Sequence, residues 1–188
     1  YLMALQYNLL KNETAVTRTV SKLKSAISSN SYKLNTGFLG TAILNQTLTA
    51  YGMNDYAYSL LLQRKCPSWL YSVDQGATTI WERWNSYTKE SGFHKDISMN
   101  SFNHYSYGAV AEWMFRYMAG IAPCDSTPGF SHFLLAPNPD RRKTLVQGQE
   151  RITSCDADFW SNYGSIRAAW QCQGGAEMTY EVSVPANT

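Results

Sequence analysis

Charged residues are scarce in this chain of 188 residues, at 16% where globular domains usually carry about 25%. The formal net charge is only +2, and the basic residues are scattered rather than gathered into a stripe or an arm. Because nucleic-acid binding depends on clustered Lys and Arg side chains that displace counterions, this pattern excludes nucleic acid as a partner.

Long hydrophobic runs are missing as well. No apolar segment approaches the ~20 residues that a membrane span needs, and no basic-then-apolar signal segment is present. We therefore expect no membrane partner. The chain also lacks an initial Met, since it begins at Tyr1 in a pattern typical of the middle of a helix. This predicts a fragment of a longer protein and leaves the localisation unknown.

Metal and cofactor motifs are absent too. The four cysteines show no CxxC spacing, which argues against a zinc site and favours ordinary buried thiols. No P-loop, dinucleotide fingerprint or Gly-x-Ser-x-Gly elbow occurs. We expect no metal and no cofactor, so hydrolytic chemistry would have to rest on carboxylates.

Aromatic residues, in contrast, are abundant, with six Trp and thirteen Tyr. Low charge and many aromatic rings suit a sugar-binding surface, although the same rings could simply fill a core.

The first 120 residues have helical periodicity. Asn12 is a plausible N-cap for a helix that closes near residues 28–30, and a second helix is predicted from about Leu39 to Tyr51. A third follows from Asn54. Residues 68–71 form a connecting stretch rich in aromatic residues, and residues 85–98 a polar loop. A long helix is then predicted from about residue 100 to 118, ending at Gly120. Helix pairs of this kind predict an α/α toroid or bundle.

Beyond residue 121 the period changes from helical to alternating. Two alternating runs, residues 166–173 and 176–184, flank Gly174-Gly175 and predict a β-hairpin that turns at the glycines. Residues 130–136 and 145–154 are further strand candidates. We therefore predict an α part over residues 1–122 and an antiparallel β part over residues 123–188.

Glu82 is the carboxylate with the most unusual surroundings, because Trp81 and Trp84 flank it. Indole rings limit water access and offer sugars an apolar face, and an ionised Glu can act as a general base. The alternative is a structural Glu that pairs with Arg83 or caps a helix.

His104 lies near the predicted start of the long helix, where polar side chains can project from the end of the element. A packed histidine bonded to a backbone carbonyl is the alternative. Glu112 could line the same cavity, but a salt bridge to Arg116, four residues on, explains it equally well.

Four segments together resemble the bacterial α-L-rhamnosidases of glycoside hydrolase family 78. They read Thr-Gly-Phe-Leu-Gly-Thr at 36–41, Pro-Ser-Trp-Leu-Tyr at 67–71, Gly-Ala-Thr-Thr-Ile-Trp-Glu-Arg-Trp at 76–84 and Met-Asn-Ser-Phe-Asn-His-Tyr at 99–105. The likeness continues into residues 128–133 and 184–188, so it covers essentially the whole chain.

The resemblance implies the C-terminal part of an (α/α)6 catalytic barrel followed by an incomplete β-sandwich. It also implies an inverting glycosidase that removes terminal α-L-rhamnose. Glu82 matches the family's general base and His104 a residue that contacts rhamnose, with Trp84 and Asn103 as further substrate-binding residues. Inversion requires a second carboxylate about 6.5–9.5 Å away.

The general acid of that family lies in an earlier acidic motif, and nothing in residues 1–75 resembles it. Asn85 also stands where the family commonly has Asp, a change that keeps a polar side chain. We therefore expect this chain to supply the base but not the acid. Its partners would be a rhamnose-containing glycoside or polysaccharide and the remainder of the same enzyme. The alternative is a non-catalytic fragment that is structural or binds sugar on Trp69, Trp81 and Trp84.

Overall fold

The computed structural model describes residues 1–188, and the predicted order of helices first and antiparallel strands second is confirmed. By its internal contacts the chain divides into two units, Tyr1–Val110 and Ala111–Thr188. None of its helices combines the length and the apolar character needed to cross a membrane. The boundary at residues 122 and 123 stays a prediction.

The first unit is built mainly on five helices, α1 Leu2–Gln6, α2 Glu13–Ser29, α3 Phe38–Ala50, α4 Asn54–Leu61 and α5 Trp69–Asp74. The predicted cap of α2 is confirmed, because the backbone N–H of Ala15 donates to Oδ1 of Asn12 at 2.9 Å. Helix α5 was not predicted. Its N-cap is Ser68, whose hydroxyl accepts a hydrogen bond from the backbone N–H of Tyr71 at 3.2 Å. In the sequence, Ser68 belongs to an aromatic stretch, which did not indicate a helix cap.

Large apolar side chains close the core of the first unit. Fully buried members come from α1, α3, α4 and the turn before α4: Leu5, Leu48, Met53, Tyr58 and Leu60. Each side chain of this size stabilises the fold by about 1.5–3 kcal/mol relative to exposure. The helical periodicity seen in the sequence therefore has its physical basis in this shared core.

Residues 75–104 contain no helix. Inside the expected polar loop, β1 Tyr87–Thr88 pairs antiparallel with β2 Gly92–Phe93. The helix predicted from residue 100 begins only at Tyr105, so that boundary was wrong. Residues 100–104 form no helical turn, because the N–H of His104 and the carbonyl of Ser101 bond to Ile80 and Glu82 and cannot also form helical bonds.

The helical segment runs as a 3-10 turn Tyr105–Ala109, α6 Val110–Trp113 and a π-helical stretch Met114–Ala119. Gly120 ends it, as predicted, in the left-handed conformation at φ +86°. A Cβ at this position would lie 2.3 Å from the backbone nitrogen of Pro137, so only glycine fits.

The second unit holds two antiparallel sheets. Strand β3 Ile121–Pro123 pairs with β4 Phe133–Leu135, within the predicted strand at 130–136. The other sheet has the order β5-β6-β7, from β5 Ser154–Ser161, β6 Gly164–Gln171 and β7 Thr179–Ser183. Buried Ile121, Ile166 and Ala168 form a core against which rings such as Phe130 and Phe159 pack.

The β6–β7 hairpin is confirmed, but its predicted two-glycine turn is wrong. Gln171 pairs with Thr179, so residues 172–178 form a longer connection. Just past the end of β6, the chain continues to pair on the β5 side, since the backbone N–H of Cys172 donates to the carbonyl of Thr153 at 2.8 Å. The tight two-residue turn lies at Asn162-Tyr163, between β5 and β6.

The strand predicted at 145–154 is also wrong, because a buried ion pair organises that segment. Arg142 donates through Nε and Nη2 to both oxygens of Asp140, at 2.9 and 2.8 Å, and neither side chain is more than 1% exposed. Arg142 also donates to Gln149 and to the carbonyl of Glu150, and Arg151 donates to the carbonyl of Asp140. These bonds bend the segment into a loop and leave it no sheet partner.

Candidate functional site

The candidate site is built on two segments without regular secondary structure, residues 79–82 and 101–104, which backbone hydrogen bonds join side by side. The backbone N–H of Glu82 donates to the carbonyl of Ser101, and that of His104 donates to the carbonyl of Ile80, both at 2.9 Å. The hydroxyl of Thr79 donates to the carbonyl of Phe102. This pairing brings the two motifs that carried the predicted site residues side by side.

The Glu82 carboxylate is half-buried and free of cations. Its Oε2 accepts a hydrogen bond from the backbone N–H of Ser101 at 3.0 Å, and it forms no salt bridge. The alternative of a Glu82–Arg83 pair is therefore excluded, since Arg83 binds Asp96 instead, at 2.8 Å. Residues 75–104 contain no helix, and the N–H that bonds to the Glu82 carboxylate belongs to Ser101, so Glu82 caps no helix. A carboxylate with one fixed oxygen and one free oxygen can accept a proton.

Trp84 is held in a cluster of rings. Its indole stacks on Tyr107, with ring centroids 3.9 Å apart, and meets the edge of Trp69 at 5.9 Å. The indole N–H of Trp69 donates to the carbonyl of Tyr107 at 2.8 Å, which fixes this ring group to the backbone. Burial raises the pKa of the Tyr107 hydroxyl. Trp84 itself remains half-buried, with part of its surface accessible.

His104 caps the 3-10 turn and stacks on an aromatic ring. Its Nδ1 accepts a long hydrogen bond of 3.5 Å from the backbone N–H of Ser106. Phe38 lies parallel to the imidazole at 4.7 Å and also contacts Tyr107 at 4.9 Å. A chain of rings therefore connects His104 through Phe38 and Tyr107 to Trp84.

An open cleft of about 490 Å³ borders the His104 side of this arrangement. Its lining residues are Thr79, Ile80, Asn103, His104, Tyr105, Gly108 and Ala109. Asn103 and His104 therefore face one cavity, whereas Glu82 and Trp84 are not among its walls. Glu82, Asn103 and His104 lie on the paired segments and Trp84 follows two residues after Glu82, but only Asn103 and His104 line this cleft.

Sequence reasoning missed Tyr107, Phe38 and Ser101 as parts of the site. Tyr107 lies between two predicted residues, and its only sequence signal was its closeness to His104. Phe38 and Ser101 stood inside the quoted motifs, but nothing local indicated which neighbours they contact. Residues more than 60 positions apart along the chain meet here.

Glu112, which the sequence also offered, and Asp74 are engaged in ion pairs. Glu112 forms the expected contact with Arg116, at 3.8 Å, and Asp74 pairs with Arg64 at 2.5 Å. All four cysteines are free thiols, and no group of three or more His, Cys, Asp or Glu side chains could hold a metal ion.

Two family models match the chain in succession. The bacterial alpha-L-rhamnosidase 6 hairpin glycosidase domain matches residues 1–118, and the bacterial alpha-L-rhamnosidase C-terminal domain matches residues 120–188. Among individual relatives, an alpha-L-rhamnosidase of Formosa agariphila is 41% identical over all 188 residues, which make up 19% of that protein.

Solved structures give the same result. The chain is similar over its whole length to an alpha-L-rhamnosidase of Streptomyces avermitilis complexed with L-rhamnose, with a TM-score of 0.84, 40% identity and 17% of that chain covered. It is also similar to the native enzyme of Aspergillus terreus, with a TM-score of 0.87, 32% identity and 20% of that chain covered. The chain thus spans about a fifth of the length of the relatives that it matches.

Proposed function

The chain belongs to the bacterial α-L-rhamnosidases, and we propose from this premise that it forms the general-base side of an inverting glycosidase site. The family match over both parts of the chain confirms the predicted barrel portion followed by a β domain. The proposed substrate is a glycoside or polysaccharide with a terminal α-L-rhamnose. Residues outside 1–188 would supply the general acid, so the remainder of the enzyme is a necessary partner.

Glu82 is the proposed base, and the observation that carries this assignment is its free carboxylate. A cation would hold the carboxylate in a structural ion pair, but Glu82 has only the N–H of Ser101 as a fixed donor. In the proposed reaction the other oxygen takes a proton from water while that water attacks the anomeric carbon. A carboxylic acid about 6.5–9.5 Å away protonates the leaving oxygen.

His104, Asn103 and Trp84 are the proposed sugar contacts. Imidazole and amide groups can bond to hydroxyls, and the partly accessible face of Trp84 offers an apolar surface to a sugar ring. Asn103 and His104 line the open cleft, which supports their role in binding. Trp84 does not line the cleft, so we expect it to contact the sugar next to Glu82 and outside the cleft.

The alternative, a non-catalytic sugar-binding platform of Trp69, Trp81 and Trp84, has weaker support. Trp69 is only 8% exposed and Trp81 only 7%, and both rings pack against other aromatic side chains. Buried rings cannot stack on a ligand, so two of the three platform residues are unsuitable.

The decisive experiment is Glu82→Gln in the enzyme that contains this chain. The amide fits the same space but cannot accept the proton of water, so kcat on an aryl α-L-rhamnoside should fall by roughly 10²–10⁴-fold with an unchanged Tm. Glu112→Gln, which removes only a surface carboxylate, is the control and should keep wild-type turnover. Wild-type turnover of Glu82→Gln would refute the base assignment. Activity of residues 1–188 alone would refute an acid outside them.

A further inference from the structure

We propose that Arg83 is a positioning residue for Glu82, acting through Asp96 and the segment of residues 96–101. The side chain of Arg83 holds this segment at Asp96 and Met99, and the segment in turn presents the Ser101 N–H that fixes the Glu82 carboxylate. This proposal rests on the proposed role of Glu82 as general base.

The guanidinium of Arg83 gathers three groups from one loop. Nη2 donates to Oδ2 of Asp96 at 2.8 Å, Nε donates to the carbonyl of Met99 at 3.3 Å, and Nη1 lies 3.2 Å from the imidazole of His94. The Arg83 side chain is only 26% exposed. Arg83 therefore connects residues along the segment 94–99, which contains no helix or strand.

Asp96 is the point at which this loop folds on itself. Its Oδ1 accepts from the backbone N–H of Ser98 at 3.0 Å and from the Ser98 hydroxyl at 2.6 Å, while its own N–H donates to Nδ1 of His94 at 3.1 Å. The Ser98 hydroxyl, followed by the Ser98 N–H and Arg83, holds the pKa of the Asp96 carboxyl well below its usual range. Asp96 is therefore charged at neutral pH, where it bonds to the Arg83 guanidinium.

The connection to Glu82 runs through two residues of backbone. Arg83 holds the carbonyl of Met99, and Ser101 exchanges two hydrogen bonds with Glu82, one with its backbone and one with its carboxylate. Glu82 and Arg83 are adjacent in the chain, and they bond to Ser101 and Met99, two nearby residues of the same segment. One carboxylate oxygen of Glu82 is thereby fixed, and the other is left free to meet water.

Arginine suits this role better than lysine would. A planar guanidinium can donate along several fixed directions at once, here toward a carboxylate, a carbonyl and an imidazole. A lysine ammonium would keep the charge next to Asp96 but could not reproduce the three-way geometry. Arg83→Lys should therefore restore only part of what Arg83→Met removes.

The test measures kcat and KM on an aryl α-L-rhamnoside with the whole enzyme. Because a misplacement of about 1 Å can cost about 10²-fold in rate, Arg83→Met should lower kcat by roughly 10–100-fold while KM changes less than about twofold. Asp96→Asn should lower kcat in the same direction, and Arg83→Lys should lie between Arg83→Met and wild type. The matched control is Arg167→Met, which breaks another arginine–aspartate pair, Arg167–Asp156, in the second unit and should leave kcat unchanged.

A double-mutant cycle with Glu82→Gln separates positioning from general structural damage. If Arg83 acts through the base, adding Arg83→Met to Glu82→Gln should cost less than about twofold in the remaining rate. Full additivity, or wild-type kcat in both Arg83→Met and Asp96→Asn, would overturn the proposal even where Glu82→Gln lowers kcat as expected. Should Arg83→Met fail to fold, the kcat and the same cycle for Asp96→Asn decide. Wild-type turnover of Glu82→Gln would instead refute the base itself.

Discussion

Residues 140–151 and residues 94–99 are both irregular segments, and each is held by an arginine–aspartate pair, yet the two pairs differ in burial. Asp140 and Arg142 are at most 1% exposed, whereas Arg83 and Asp96 are 26% and 50% exposed. In the first segment Arg142 bonds to Asp140, Gln149 and Glu150, and these bonds shape a loop outside the sheets. In the second segment, the bonds of Arg83 to Asp96 and Met99 lie next to Ser101, whose N–H binds only one oxygen of the Glu82 carboxylate.

This difference shows how similar chemistry serves stability in one region and a site in the other. A buried charge that loses its partner costs far more than an exposed one, because water cannot replace the partner. The buried pair is therefore expected to matter for folding. The half-exposed pair is expected to matter through the position of the groups that it holds.

The largest effect in this comparison is expected on removing the buried charge. Asp140→Asn leaves the guanidinium of Arg142 uncompensated in the interior, so the free energy of unfolding should fall by about 3–5 kcal/mol. Denaturant unfolding, followed by circular dichroism, measures this change.

The matched control is Asp156→Asn. Asp156 binds Arg167 with nearly the same two-bond geometry, at 3.0 and 2.7 Å, but in an exposed setting. It should leave the midpoint of unfolding unchanged. If both variants lose the same stability, burial does not explain the difference between the two kinds of pair.

A smaller effect is expected from the ring that supports His104. Phe38→Leu keeps an apolar side chain but removes the stacking on the imidazole at 4.7 Å, and such ring contacts contribute about 0.5–1.5 kcal/mol. We expect kcat/KM on an aryl α-L-rhamnoside to fall by roughly threefold to tenfold. Phe115→Leu, which loses only an edge contact with Phe159 in the second unit, should have wild-type kcat/KM. Equal losses in the two variants would show that the stacking has no specific role.

The smallest effect concerns pH and the exposed pair. Since the folded state lowers the pKa of Asp96, its charge stabilises the fold above the unfolded pKa of about 3.9, and this contribution is lost as the pH falls through the lower folded pKa. The difference in Tm between wild type and Asp96→Asn should therefore be present at neutral pH and shrink below pH of about 4. Thermal melts across this range measure it, and a difference that grows on acidification would reverse the assigned sign.

Sequence patterns predicted the elements whose signals are local. The cap at Asn12, the end of the helical segment at Gly120 and the antiparallel pairing of β6 with β7 all followed from residues close together in the chain. The errors arose where partners outside the predicted element competed for its polar groups. The helix predicted from residue 100 lost its first turn to pairing with residues 80–82, and the strand predicted at 145–154 was replaced by bonds around Asp140.

The candidate site divides in the same way. The motifs alone singled out Glu82, Trp84, Asn103 and His104, and their resemblance to the family named the chemistry to test. They could not indicate that Tyr107 and Phe38 connect Trp84 to His104, or that Arg83 binds Asp96 rather than its neighbour.

The sequence by itself therefore determined the order of helices and strands, several of their ends and the family, because each depends on short-range periodicity, capping or a contiguous motif. Only the tertiary structure decided which oxygen of Glu82 is fixed, which rings support His104 and which arginine is buried. The first two features depend on contacts between residues about 20 to 70 positions apart, whereas Arg142 bonds within residues 140–151. No local pattern encodes such contacts, since they form only when loop closure brings the partners together and a shared core holds them there.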